Sequence, residues 1–417
     1  MRILRLTDTV AGKILAARHR TDAAAEAVAA RIISSVRRRG DAALFSWSRR
    51  LDGLRLTPET VWSNTRDRRD AARRVPRELH VALEHAARNI RRVAEQQMPR
   101  PWSIAVEPGV RVSQRVAPLE TIGCYIPGGR FSLVSTLLMT AVPAQVAGVR
   151  RIVVACPKAN PALLAAAEVL GIKEIAHIGG AQAIAALAYG THSVPQVDKI
   201  FGPGNRYVTA AKRLVSVDCA IDLLAGPTEV LIVATRGPAR YIAADLIAQA
   251  EHDPDAVALL VTTSTALAQA VRDSISEQLS VLPPSNPAWR SLASNGAILV
   301  ARSVPAAVQF ANRFAAEHLS IPGGEPELVR KLTVAGSVFI GPWSAQSVGD
   351  YASGTNHVLP TGGGAHSRGG LSVWDFVRCT SVQQLSRSGL RRLAPVVAAL
   401  ADAEGLAAHR RAVEVRE

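Results

Sequence analysis

Two short stretches bring together side chains of the kind that hold metals or move protons. Gln249-Ala250-Glu251-His252 closes a helical run, and positions three apart on a helix share a face, so Gln249 and His252 can reach one point. Asp350, in Val348-Gly349-Asp350-Tyr351, follows a strand-like run and a turn, with His357 shortly after it and His409 on the C-terminal tail. Imidazoles, a carboxylate and an amide carbonyl suit zinc or another borderline divalent cation. Gln is an uncommon zinc ligand and the positions are scattered, so on spacing alone they read first as satisfied polar residues of a core and only second as a metal site. In the second stretch, Asn312 to Leu319, Glu317 stands next to His318. Adjacent residues cannot share one helix face, but at a helix end both can line one cavity. A histidine titrating near neutrality beside a carboxylate that can polarise water suits general acid–base work. A surface helix end is the plainer alternative.

Three glycine-rich segments are candidates for ligand approach: Gly179-Gly180, Gly202-Pro203-Gly204-Asn205 and Ala225-Gly226-Pro227-Thr228. In open α/β sheets ligands bind beyond the carboxyl ends of strands, and each segment reads as such an end. Asn205 can cap the helix after it, whose N-terminus attracts anions. None is a G-x-G-x-x-G fingerprint, so each alone reads as a turn first and a cofactor site second.

The elements that must position these groups follow an α/β grammar. Residues 20 to 100 read as polar, Ala- and Arg-rich helices, among them Asp22 to Val36 and Glu78 to Gln97. Val110 to Pro118 is strand-like. Strands at 152–155, 174–178 and 199–201 alternate with helices from about 161 to 170, 180 to 189 and 205 to 215. A second series runs through strands at 230–234, 257–262, 297–301 and 337–340, with helices at 239–250 and 265–279. Strands separated by helices of this length predict parallel, doubly wound sheets, here two α/β modules of similar layout. A helical tail from Leu390 to Arg411 ends the chain.

At 417 residues the chain is too long for one core and predicts two or three folding units. Its net charge of +15 raises the possibility of a nucleic-acid partner. The cations are scattered Arg pairs and triplets, and aromatics are only 4%, poor for base stacking, so a solvated basic surface is the better reading. Four widely spaced cysteines form no C-x-x-C pair, no signal-peptide core precedes Thr7, and no 18-residue apolar run occurs. The expectation is a cytoplasmic protein with neither membrane nor nucleic-acid partner.

Taken together, eight blocks resemble the histidinol dehydrogenase family in its order. They are Gly123 to Gly129, Phe201 to Val208, Ala225 to Val230, Gln249 to Pro254, Ala316 to Leu319, Gly336 to Gly341, Gly349 to Pro360 and Ala403 to His409. The resemblance implies two NAD-linked oxidations of L-histidinol, through bound L-histidinaldehyde to L-histidine, with one zinc per subunit. It implies Gln249, His252, Asp350 and His409 as zinc ligands, Glu317 and His318 as the catalytic pair, and Tyr125, Gln182 and Asn205 as NAD contacts. Substrate contacts would be Thr228, His318, Asp350, Glu404 and His409, with Gln249 and His252 shared with the metal.

The fold so implied is a pair of incomplete Rossmann-like modules of the aldehyde-dehydrogenase-like type with small helical terminal segments. Its expected division is a 1–21 arm, a discontinuous first module of 22–126 and 228–371, a second, NAD-binding module of 127–227, and a 372–417 tail. The resemblance also implies a homodimer with shared active sites, each tail reaching the partner subunit. Two departures are visible: Thr228 stands where relatives usually carry Ser, and 362–370 is unusually rich in glycine, with His366 reading as an exposed loop residue. Some relatives oxidise other small alcohols, including sulfonated diols, which is the alternative substrate class.

Overall fold

The computed structural model describes residues 1–18, 22–128 and 133–417. Gly129, the last residue of the first glycine-rich block, lies outside them, as do residues 19–21 of the expected arm.

Among the described residues, fourteen strands form three sheets. In chain order they are β1 (Arg2–Arg5), β2 (Trp102–Glu107), β3 (Val110–Pro118), β4 (Thr121–Tyr125), β5 (Arg151–Ala155), β6 (Glu174–Ala176) and β7 (Lys199–Phe201). They continue as β8 (Ala220–Ile221), β9 (Glu229–Val233), β10 (Val257–Thr262), β11 (Ala297–Val300), β12 (Ala316–Ile321), β13 (Ala335–Ile340) and β14 (Val377–Leu385). A six-stranded sheet runs β1-β11-β10-β9-β12-β13 and a five-stranded sheet β6-β5-β4-β7-β8. Every pair in both is parallel. The third sheet, β14-β3-β2, is antiparallel and ties the C-terminal segment to the region before β4. The expected pair of doubly wound α/β modules is therefore present.

The central strands read as apolar runs because both faces are covered. All five residues of β9, Glu-Val-Leu-Ile-Val, are buried, as parallel strands under helices on both sides must be. Capping side chains start the helices: Asp22 accepts from the Ala25 amide, Ser264 from Leu267 and Asn205 from Tyr207 and Val208. No helix among the described residues is long and apolar enough to cross a membrane.

The pairing divides the chain differently from the expected grouping of 22–126 with 228–371. β4 pairs with β5 and β7, and the helices Ala23–Arg39 and Asp41–Asp52 share one apolar core with 176–219. Within the segment before residue 126, these two helices and β4 thus join the five-stranded module, while β2 and β3 belong to the antiparallel sheet. The N-terminal arm, by contrast, supplies β1, which pairs with β11 at the edge of the six-stranded sheet. Four residues with two arginines carry too little apolar alternation to mark β1 in the sequence.

Candidate active site

Chain direction decides which side chains meet. Residues 225–228 lead into β9, so Thr228 and Glu229 stand at the amino edge of the six-stranded sheet, not beyond the carboxyl end of a strand as expected. β12 begins beside them. The stretch holding Glu317 and His318 is strand rather than helix end: the helix Val304–Phe314 stops at Ala315, whose φ of +49° is left-handed, and the chain turns directly into β12. The helix Ala239–Ala250 runs back against β9 and delivers Gln249 to the same edge, with His252 just beyond. Asp350 comes from a short helix, Gln346–Tyr351, in place of a turn.

One hydrogen-bond network joins these groups. Glu317 Oε2 accepts from the Thr228 hydroxyl at 2.6 Å and the Glu229 amide at 2.7 Å, while Gln249 Nε2 donates to Thr228 Oγ1. Glu317 Oε1 accepts no hydrogen bond among the described residues. His318 is buried, with Nδ1 3.1 Å from the Glu229 carbonyl and 3.6 Å from Glu317 Oε2. A carbonyl only accepts, so Nδ1 carries the hydrogen and Nε2 is left as the basic nitrogen. Nε2 lies 3.4 Å from Asp350 Oδ1. Burial works to lower the His318 pKa, but the carboxylates of Glu317 and Asp350 outweigh it and push it up to about 10. The converse holds at Asp350, where burial acts upward and His318, helped by His357 and His252, keeps the carboxyl below its usual range.

The expected metal donors meet in part. Asp350 and His252 are close enough to interact electrostatically, and Gln249 is fully buried with Oε1 lacking any partner. Glu404 and His409 are exposed on the tail, which is two helices, Arg387–Ala403 and Ala407–Glu414, broken at Gly405. Among the described residues, no hydrogen bond or ion pair joins either to the other donors, and no three His, Cys, Asp or Glu side chains are arranged to hold a metal ion.

The other expected contacts line the carboxyl edge of the five-stranded sheet. Tyr125, at the end of β4, is buried, which pushes its phenol up to about 12, and its hydroxyl accepts from the Gly180 amide at 3.2 Å. Gln182 is fully buried, donates to Asp52 Oδ2 at 2.9 Å, and leaves Oε1 without a partner. Asn205 heads the helix Arg206–Val215. The turn before it needs glycine: Gly202 has φ +108°, and a Cβ there would sit 2.1 Å from the Tyr125 carbonyl. A buried pair, Lys212 with Asp222, pins this turn, Lys212 donating to the Gly202 carbonyl and Asp222 accepting from its amide.

The two edges face one another. His357 Nδ1 lies 3.0 Å from the Asp350 carbonyl and its Nε2 3.3 Å from Thr136, in the helix after the β4 loop. The Gly226 amide donates to Thr361 at 2.6 Å. His366 is exposed, as expected.

Sequence reasoning missed three participants. Arg18 forms a buried ion pair with Glu229 and stacks on Phe314, directly behind Glu317. Burial raises the Glu229 carboxyl, with Arg18 opposing that shift and Glu317 adding to it. Asp52 is the third. Glu229 sits inside a recognised block, but nothing near Arg18 or Asp52 in the sequence marks them.

Comparison with known proteins gives a consistent result. The family described as histidinol dehydrogenase matches residues 15–417. A histidinol dehydrogenase of Vibrio cholerae is 46% identical over 396 residues, covering 94% of this chain and 91% of that one. One from Agrobacterium fabrum is 44% identical over 392 residues, 92% and 90% of the two chains. The crystal structure of histidinol dehydrogenase from Elizabethkingia anophelis superposes with a TM-score of 0.94 at 35% identity, covering 100% of this chain and 97% of that one.

Proposed function

The chain belongs to the histidinol dehydrogenase family and is an oxidoreductase of that type; from that premise we propose that it oxidises L-histidinol to L-histidine in two NAD-linked steps through a retained L-histidinaldehyde. One zinc per subunit, a cytoplasmic location and a homodimer with shared sites belong to the same reading. The observation that carries it is the single network of Thr228, Gln249, Glu317, His318 and Asp350 at one sheet edge.

The residues fit both absent groups. Gln249 Oε1, which accepts nothing among the described residues and belongs to the network that ends on Asp350, together with His252 acting on Asp350, suits a borderline divalent cation, with His409 of a second copy completing the set. Tyr125, Asn205 and the partnerless Gln182 suit the dinucleotide beside two helix N-termini. Bound zinc would orient the imidazole and amine of the substrate, and bound NAD would accept the hydride of each oxidation.

The chain's own groups supply the proton chemistry. In the metal-free protein the Glu317 and Asp350 carboxylates hold a proton on His318; with the Asp350 charge taken up by a cation, Nε2 is free to accept the hydroxyl proton of the alcohol, Nδ1–H staying anchored on the Glu229 carbonyl. Glu317, held through Oε2, offers Oε1 to the water that hydrates the aldehyde, and His318 serves again in the second oxidation. Asp350 and Thr228 position this pair. Glu404 contacts substrate from the partner's tail in this reading.

The test is NADH production with L-histidinol against a panel of small diols, with and without a chelator. Turnover confined to L-histidinol and abolished by the chelator is expected; preference for a sulfonated diol would reassign the substrate. The shared site is tested by refolding His318→Asn and His409→Asn chains together. Half the dimers are mixed, each with one intact site, so about a quarter of wild-type activity returns. Proven mixed dimers without activity would show that His409 serves its own chain.

A further inference from the structure

The cleft at the carboxyl edge of the five-stranded sheet contains a carboxylate that none of these roles uses. Asp52 is the last residue of the helix Asp41–Asp52, which packs on Ala23–Arg39 and on Gly180–Tyr189 within that module. Its Oδ2 accepts from Gln182 Nε2, while its Oδ1 accepts nothing among the described residues. Half-buried, its carboxyl is raised by desolvation, against the lowering influence of Lys158 and Gln182. Lys158 lies exposed in the loop after β5, between the Gly128 and Gly179 turns, both of which abut Pro157. Asp52 also acts on the Tyr125 phenol, so it shares the pocket of the expected NAD contacts.

Two side chains in direct contact thus each keep an acceptor that takes no hydrogen bond among the described residues: Asp52 Oδ1 and the buried Gln182 Oε1. A pair of acceptors calls for a pair of donors, which the vicinal hydroxyls of a ribose supply. A phosphate at the same place offers only more acceptors and negative charge, and is repelled. The cation beside the pair, Lys158, suits the phosphates flanking a ribose. The reacting carbon must lie by Glu317 and His318, so a ribose held on this helix is the one remote from the nicotinamide. Building on the NAD-linked reading above, we propose that Asp52, with Gln182, holds the adenosine-ribose hydroxyls and sets the preference for NAD over NADP by excluding a 2′-phosphate.

Calorimetric titration of the full-length protein with NAD and with NADP, without substrate, tests this. The wild type should bind NAD more tightly. Asp52→Asn keeps an acceptor for Gln182 while removing the charge, and should weaken NAD about tenfold, the effect of one charge-assisted hydrogen bond. The same variant should bind NADP more tightly, and adding Lys158→Gln should reverse that gain. The kcat/KM ratio for the two dinucleotides should shift in the same sense, and Asp52→Ser should repeat the pattern if the Asn variant folds poorly. An NAD-to-NADP ratio unchanged in a folded Asp52→Asn protein would overturn the assignment, leaving Asp52 as a support for Gln182. A wild type that binds neither dinucleotide would overturn the cofactor reading itself, and the inference with it.

Discussion

The two parallel sheets are wound alike but turn opposite edges to the cleft. The five-stranded sheet presents its carboxyl edge, where glycine turns and the N-termini of Gly180–Tyr189 and Arg206–Val215 offer backbone donors and positive dipole ends. Such an edge suits the dinucleotide of the proposed reading. The six-stranded sheet presents its amino edge, where the helix Ala239–Ala250 arrives with its C-terminus and side chains do the work: Gln249, Thr228, Glu317, His318, Asp350. A helix C-terminus favours cations, so this edge suits a metal and a proton-transfer pair. At its own carboxyl edge Glu325 accepts from the Thr235 amide and hydroxyl, tying the ends of β9 and β12 together. One winding thus yields a binding edge or a chemical edge, depending on which end faces the cleft. Each edge is braced by one buried ion pair, Lys212–Asp222 on the first and Arg18–Glu229 on the second.

If the labour is divided this way, damage to each edge should show different kinetics. The largest effect is expected at His318: His318→Asn should lower kcat about a thousandfold, the scale of general-base catalysis, with zinc content and NAD affinity intact. An equal loss of NAD affinity, measured by titration, would break the separation of the two edges. Next, Glu317→Gln should slow oxidation of L-histidinaldehyde about a hundredfold and the first oxidation much less, because only the aldehyde step consumes water. Equal losses on the two substrates would remove Glu317 from water activation.

The braces sharpen the same contrast. Arg18→Met and Lys212→Met each leave a buried carboxylate unpaired, at a cost of about 3 kcal/mol by denaturant unfolding. Arg18→Met should then reduce kcat more than NAD affinity, and Lys212→Met the reverse. The smallest effect concerns pH. The folded pKa of His318, about 10, lies above its unfolded value, so its charge adds stability that is full below about 6.5 and lost as pH rises toward 10. The melting temperature of metal-free protein should fall across that window, and the slope should flatten in His318→Asn.

Much of this division was legible beforehand. β9 and β10 announce themselves as unbroken apolar runs, and the helices between them as three- and four-spaced stripes, because burial on both faces leaves no room for polar alternation. The eight blocks held the candidate residues of both edges except Gln182, which lies between two of them. The strand at Ala316–Ile321 was not legible, since Arg313, Ala315, Ala316, Glu317 and Leu319 are all good helix formers and only the left-handed backbone of Ala315 ends the helix. Nor was the pairing of β4 with β5 and β7, because hydrogen bonding between strands leaves no trace in either strand's own pattern.

Local sequence thus determined the α/β class, the presence of two modules and the chemical types at the site, since propensity, periodicity and side-chain chemistry belong to each segment alone. Tertiary structure decided which edge each sheet turns to the cleft, that Arg18 lies behind Glu317, and that Asp52 meets Gln182 across 130 residues of chain. Those are relations between distant segments, set by strand order and packing. No segment carries them by itself.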